Sequence, residues 1–185
     1  MANNKSDDTE LMTRLAAGDM AALGDIARRH QGKVLSLSYR VLGDWHRAED
    51  VAQETFLRVH RAAKNYKPTA KFTTWLYRIV VNLCLDEQRK QAKATAPLED
   101  VNPVVLAKSE SNAAERKEVV ELVKSAVNEL PERQRLAVIL HRYDGLGHGE
   151  ISEVTGWTQS AVESLLVRAY ANLRENLGKM KDFVK

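Results

Sequence analysis

Cysteine is almost absent. Cys84 stands alone in 185 residues, so no disulfide framework can form within the chain and a cysteine-based zinc site lacks its ligands. Glycine and proline are scarce, at nine and four. An all-β fold needs frequent turns, so this scarcity favours helices. No run approaches the roughly 18 consecutive apolar residues that cross a bilayer, and no membrane insertion is expected. The segment Met1–Glu10 is polar and acidic, without the apolar centre of a secretory signal, which makes the cytoplasm the expected location. Nucleotide and metal signatures are missing too. There is no GxxxxGK[ST] and no GxGxxG, and His30, His46, His60, His141 and His148 show no HExxH spacing. The glycine-rich run from Gly145 to Gly149 follows no strand, which argues against a phosphate cradle. No catalytic residue, metal site or cofactor is therefore expected, and the chain reads as a non-enzyme.

What the sequence does hold is 44% hydrophobic and 29% charged residues, enough apolar material to bury real cores. Net charge is only +3, but it is unevenly spread. Residues 1–92 carry 15 basic and 11 acidic side chains (+4), residues 93–115 carry 2 and 4 (−2), and residues 116–185 carry 11 and 10 (+1). A modestly basic first half permits contact with nucleic acid without demanding it.

Apolar spacing predicts helices over Asp8–Ala17, Met20–His30, Lys33–Leu42 and Trp45–Lys64, then a further helix capped by Thr73 or Thr74 and running to about Lys93. Residues 94–113 are turn-prone and polar and read as a tether; an ordered connecting loop is the other reading. Beyond it, helices are expected over Ala114–Leu130, Glu132–Tyr143, about Gly149–Thr155, and from Thr158 to about Leu177, with Pro131 in the first turn of the second. The fold class is thus all-α, with two helical domains (1–93 and 114–185) joined by a linker (94–113).

Three segments could carry function. The first runs from Glu150 to Leu166: a short helix, a turn at Gly156 and a longer helix form a helix-turn-helix, although an ordinary αα-hairpin fits the same pattern. Its outward stripe, Ser160, Glu163, Ser164, Val167 and Ala171, is small and mostly uncharged, as entry into a major groove requires. Glu163 cuts both ways: it repels phosphate, yet it can accept from cytosine N4. Arg168, Arg174 and Lys179 flank the stripe and could reach phosphates. The second segment is the helix Trp45–Lys64, whose inward stripe is read as Ala48, Val51, Ala52, Phe56, Val59 and Ala63. On the opposite face Asp50, Gln53, Glu54 and Leu57 recur at i, i+3, i+4 and i+7. A leucine among acids and amides there suits a protein interface, and also an ordinary charged surface. The third is Phe72–Lys90. Phe72, Trp75, Leu76, Ile79, Val80 and Leu83 form one apolar stripe, while Tyr77, Arg78, Asn82, Gln88 and Arg89 are read onto another face. Aromatic, basic and amide groups together suit a single nucleic-acid strand; core aromatics with surface arginines are the plainer alternative. Cys84 reads as a core residue.

Taken together, these blocks resemble the extracytoplasmic-function (ECF) sigma factors of bacteria. Ala48–Val59 (AEDVAQETFLRV) resembles the family's core-polymerase-binding helix. Phe72–Asn82 (FTTWLYRIVVN) with Asp86–Lys90 resembles its promoter-melting and −10-reading helix, and Leu130–Arg135 (LPERQR) with the helix-turn-helix resembles its −35-reading domain. The likeness spans roughly residues 8–178 in the family's order. It implies that Asp50, Gln53, Glu54 and Leu57 grip the clamp helices of the polymerase beta-prime subunit. It implies −10 contacts from Tyr66 and Lys71 in the loop Asn65–Lys71 and from Trp75, Arg78, Asn82, Gln88 and Arg89, with Asn82 and the loop near a flipped base. It implies −35 contacts from Gln159, Ser160, Glu163, Ser164, Val167 and Arg168, docking of the second domain on the beta flap, and an anti-sigma factor as a further partner. Glu163 and Leu165 depart from the family, which often has Lys or Arg at the first position and Arg at the second. A helix-turn-helix regulator working without polymerase, and a purely protein-binding helical adaptor, are the other classes compatible with the pattern.

Overall fold

A computed structural model describes residues 4–94 and 113–183, all helices and short connections, with no strand among the described residues. The chain divides into two compact units, one built around four N-terminal helices and one around four C-terminal helices. The tether expected over 94–113 lies, apart from Ala94 and Ala113, outside the described residues.

The first unit contains α1 (Asn4–Ala16), α2 (Met20–Leu42), α3 (Trp45–Ala62) and α4 (Phe72–Ala94). Asp19 caps α2 by accepting from the Ala21 N–H at 3.0 Å and pairs with Arg14 at 2.7 Å. Gly43 ends α2 at φ +70°, which a residue without Cβ adopts freely. Asp44 then caps α3, accepting from the Arg47 N–H at 3.0 Å; that bond, with the Arg47 charge, holds its carboxyl below the usual range. Where two helices are expected over 20–42 there is one of 23 residues. Gly32 does not interrupt it, because Ile26, His30, Val34, Leu37 and Val41 form a continuous buried stripe that outweighs the ~1 kcal/mol cost of a helical glycine.

Ile26, Val34, Leu37, Val59, Leu76, Val80 and Val81 form the core, with Cys84 buried among them as expected. Buried Asp8 on α1 meets Arg29 at 2.6 Å and buried His30 at 3.1 Å, tying α1 to α2 through compensated charge.

In the second unit, α5 (Ala113–Asn128) precedes α6 (Glu132–Val138), which widens into a single π turn over Ile139–Tyr143. Pro131 sits at the N-cap of α6, one residue before the expected first-turn position, and its carbonyl accepts from Arg135. The helix-turn-helix is α7 (His148–Thr155) and α8 (Gln159–Phe183). Gly156 takes φ +73° in the turn, and Thr158 caps α8 by accepting from the Ala161 N–H at 3.2 Å. Ile151, Val154, Val162, Leu166 and Ala169 face inward with Leu136, Ile139 and Leu140. Asn172 donates to Gln134 at 2.8 Å, linking α8 to α6, and the Arg133 guanidinium lies 5.0 Å above the Trp157 ring. Helix α8 passes through Gly178 to Phe183 rather than ending before it.

Candidate functional site

Asp44 starts α3 in a register that buries Ala48, Val51, Thr55 and Val59. Thr55 replaces the expected Phe56 in this stripe, its hydroxyl donating to the Val51 carbonyl at 2.7 Å; Ala52 and Phe56 are half-buried. Successive residues advance by about 100°, so Asp50, Gln53, Glu54 and Leu57 share the opposite face. All but half-buried Glu54 are exposed, and Leu57 keeps 48% of its surface open. The Glu54 carboxylate accepts from Arg58 at 3.1 Å and from Arg61 at 3.4 Å. Asp50 and Glu54 also border a groove of about 480 Å³ between α3 and α4, whose far side carries Asp86, Glu87, Arg89 and Lys90.

On α4 the same angular count brings Lys71, Trp75, Arg78, Asn82 and Arg89 into one stripe, about 21 Å long from Trp75 to Arg89. Lys71, Arg78, Asn82 and Arg89 are exposed and Trp75 is half-buried. Arg89 pairs with Asp86 at 2.9 Å. Two residues read onto this face do not lie on it. Tyr77 points into the core with 5% of its surface exposed. Gln88, half-buried on a neighbouring side, donates its amide to the Val41 carbonyl at 3.1 Å, capping the end of α2. The two stand about 160° and 140° around the helix from Trp75, which the mixture of residue types conceals.

Tyr66 closes the base of the connection between α3 and α4. Its ring packs edge-on against Trp75 with centroids 4.9 Å apart, and Phe72 completes the cluster at 5.6 Å from Trp75 and 6.1 Å from Tyr66. The Tyr66 hydroxyl is buried without a hydrogen-bond partner among the described residues; burial, with the charge of Asp8, pushes its ionisation upward. The aromatic cluster therefore fixes Trp75 from one side and leaves part of its surface open.

On α8, Gln159, Ser160, Glu163, Ser164, Val167 and Arg168 are all exposed. Val167, at 71%, is the most exposed large apolar side chain among the described residues. Tyr170, 41% exposed, extends the same face one turn further; its i+3 spacing from Val167 was the available signal. Arg168 donates to the Ser164 carbonyl at 3.2 Å. Gln159 lies against the first turn of α7, where a Cβ added to Gly149 would stand 3.1 Å from its amide nitrogen. Glu163 is not isolated: its carboxylate lies 3.5 Å from His148 Nδ1 on α7. No grouping of three or more metal-ligating side chains occurs among the described residues, and none of their helices is long and apolar enough to cross a membrane.

The two units match, in order, the family models for Sigma-70 region 2 over residues 26–94 and for Sigma-70 region 4 over residues 120–173. The chain is 34% identical over 176 residues to the ECF RNA polymerase sigma factor SigM of Mycobacterium tuberculosis, covering 95% of this chain and 87% of that one. It is also 34% identical over 177 residues to the ECF RNA polymerase sigma factor SigE of Mycolicibacterium smegmatis, where the match covers 89% of this chain but 66% of the longer relative. Among solved structures, CnrH in complex with the cytosolic domain of CnrY superposes with a TM-score of 0.69 at 27% identity, over 94% of this chain and 98% of that one. The chain belongs to the ECF sigma factors of the sigma-70 family.

Proposed function

We propose that this sigma factor binds core RNA polymerase through the outward face of α3, with Asp50, Gln53, Glu54 and Leu57 against the clamp helices of the beta-prime subunit. The stripe of Lys71, Trp75, Arg78, Asn82 and Arg89, with Tyr66 behind it, takes the −10 element as it opens, and the exposed face of α8 reads the −35 duplex while its unit docks on the beta flap. The observation that carries this reading is the order of the regions. A region 2 unit with a leucine-bearing acidic face and a basic–aromatic stripe precedes a region 4 unit with an intact helix-turn-helix. Unstacking a base costs a few kcal/mol, which an aromatic and amide pocket with flanking cations can offset.

The chain makes and breaks no bonds in this scheme; the polymerase does. It works in the cytoplasm, where polymerase and DNA are. An anti-sigma partner that holds it off the polymerase fits the same surfaces; the structural neighbour CnrH is itself bound to another protein, the cytosolic domain of CnrY. Gln88 contributes to −10 binding only by bracing α4 on α2, since its amide already serves Val41.

Run-off transcription with purified core polymerase, this chain and genomic fragments tests the reading. Chain-dependent transcripts whose mapped starts share −10 and −35 elements are expected. Initiation at the same sites by core polymerase alone, or none with the chain present, would refute it.

A further inference from the structure

Glu163 sits mid-stripe on α8, where the family often carries Lys or Arg, and a side chain beside its carboxylate comes from the other helix of the motif. His148 Nδ1 is 3.5 Å from Glu163 Oε1, with 41% and 60% of the two side chains exposed. His148 is itself held. Its ring packs on His141, centroids 5.5 Å apart, and His141 Nδ1 lies 3.0 Å from the Leu146 carbonyl, so that nitrogen carries the proton. The backbone beneath His148 is pinned by Glu150, whose carboxylate accepts from the Gly147 N–H at 3.1 Å. A chain of contacts thus runs from the buried loop at Leu146 through His141 and His148 to the centre of the outward face of α8.

A lone glutamate on an exposed helix face samples many rotamers, and ordering it against a base costs binding free energy. Standing 3.5 Å from His148 Nδ1, Oε1 has a neighbour that limits where the carboxylate can swing, and its second oxygen is left to accept from the groove. We propose that His148 is a positioning residue for −35 recognition, holding the Glu163 carboxylate so that its other oxygen reads a base amino group, of which cytosine N4 is the major-groove match. This rests on α8 being the −35-reading helix.

The test uses holoenzyme assembled from core polymerase and the full chain, transcribing a library with a randomised −35 element. Glu163→Gln and His148→Ala should each flatten preference at the same single position, by about three- to tenfold, the range that immobilising one side chain supplies. His148→Gln, which keeps an N–H donor, should restore part of that preference. His148→Ala added to Glu163→Gln should change nothing further. Preference retained in His148→Ala but lost in Glu163→Gln would overturn the proposal, as would a drop in His148→Ala that is uniform across the library. If no −35 substitution alters wild-type output, the −35 role of α8 itself falls, and the proposal with it.

Discussion

Leu57→Arg combined with Gln53→Ala strikes the face of α3 where its effects on binding and on folding separate most cleanly. Leu57 leaves 48% of its surface open and Gln53 is exposed, so neither side chain is part of the core. Burying a whole leucine side chain is worth about 1.5–3 kcal/mol, so covering the remaining half contributes about 1 kcal/mol to an interface. Loss of a Gln53 hydrogen bond removes about 1 kcal/mol more. An arginine at 57 adds a desolvation cost, reduced because its stem can lie along the surface with its charge in water. The sum is about 2–3 kcal/mol, a weakening of core-polymerase binding by roughly 30- to 150-fold. Folding stability should move by no more than about 0.5 kcal/mol, as for other exposed substitutions. Competition for core polymerase against a labelled reference sigma factor measures the first quantity, and thermal melting followed by circular dichroism the second. Unchanged affinity would remove this face from the polymerase interface, and weakened affinity with a lowered melting temperature would show that the substitutions act on the fold.

Other expectations follow from single contacts. Asp44→Ala should cost about 1 kcal/mol at pH 7 by removing the α3 cap. Because the folded-state carboxyl is held low, that contribution is complete above the ordinary aspartate range and is lost as pH falls through the folded value, so the gap between wild type and variant in urea unfolding should close in acid. Asp8→Ala, which leaves buried His30 and Arg29 without their carboxylate, should destabilise the first unit by about 2–4 kcal/mol in the same assay. Burial pushes the Cys84 thiol up to about 12, so it should resist alkylation at pH 8 until denaturant opens the unit, and rapid labelling of the native chain would contradict the packing. Glu163→Lys should change the preferred −35 base, since an ammonium favours guanine acceptors, and should steepen the salt dependence of binding; an unchanged rank order among −35 variants would take Glu163 off the specificity list.

Most of this architecture was legible in the residues because the elements are long and amphipathic. The Gly156 turn with its Thr158 cap, the outward face of α3 and the small-residue face of α8 all follow from local chemistry and a 3.6-residue period. What was not legible depended on context. Gly32 and Gly178 look like the glycines that end helices, but positive φ is taken by Gly18, Gly43, Gly145 and Gly156, and nothing local distinguishes the two groups. Thr55 lies in the core because its hydroxyl is satisfied by the helix backbone, which its polarity hides. Tyr77 and Gln88 have the right chemistry for a DNA face but stand at the wrong angle on α4. The π turn and the contact between His148 and Glu163 arise from packing between elements, which no window of sequence displays.

Binding of the mapped promoter duplex, with and without core polymerase at about 0.15 M salt, separates a sigma factor from an independent DNA-binding regulator most directly. The chain carries a net charge of only +3, residues 116–185 amount to +1, and the outward face of α8 holds a carboxylate. Counterion release from so few cations gives little affinity at that salt. Tight, sequence-specific binding should therefore appear only when core polymerase is present; comparable binding by the isolated chain would contradict the account.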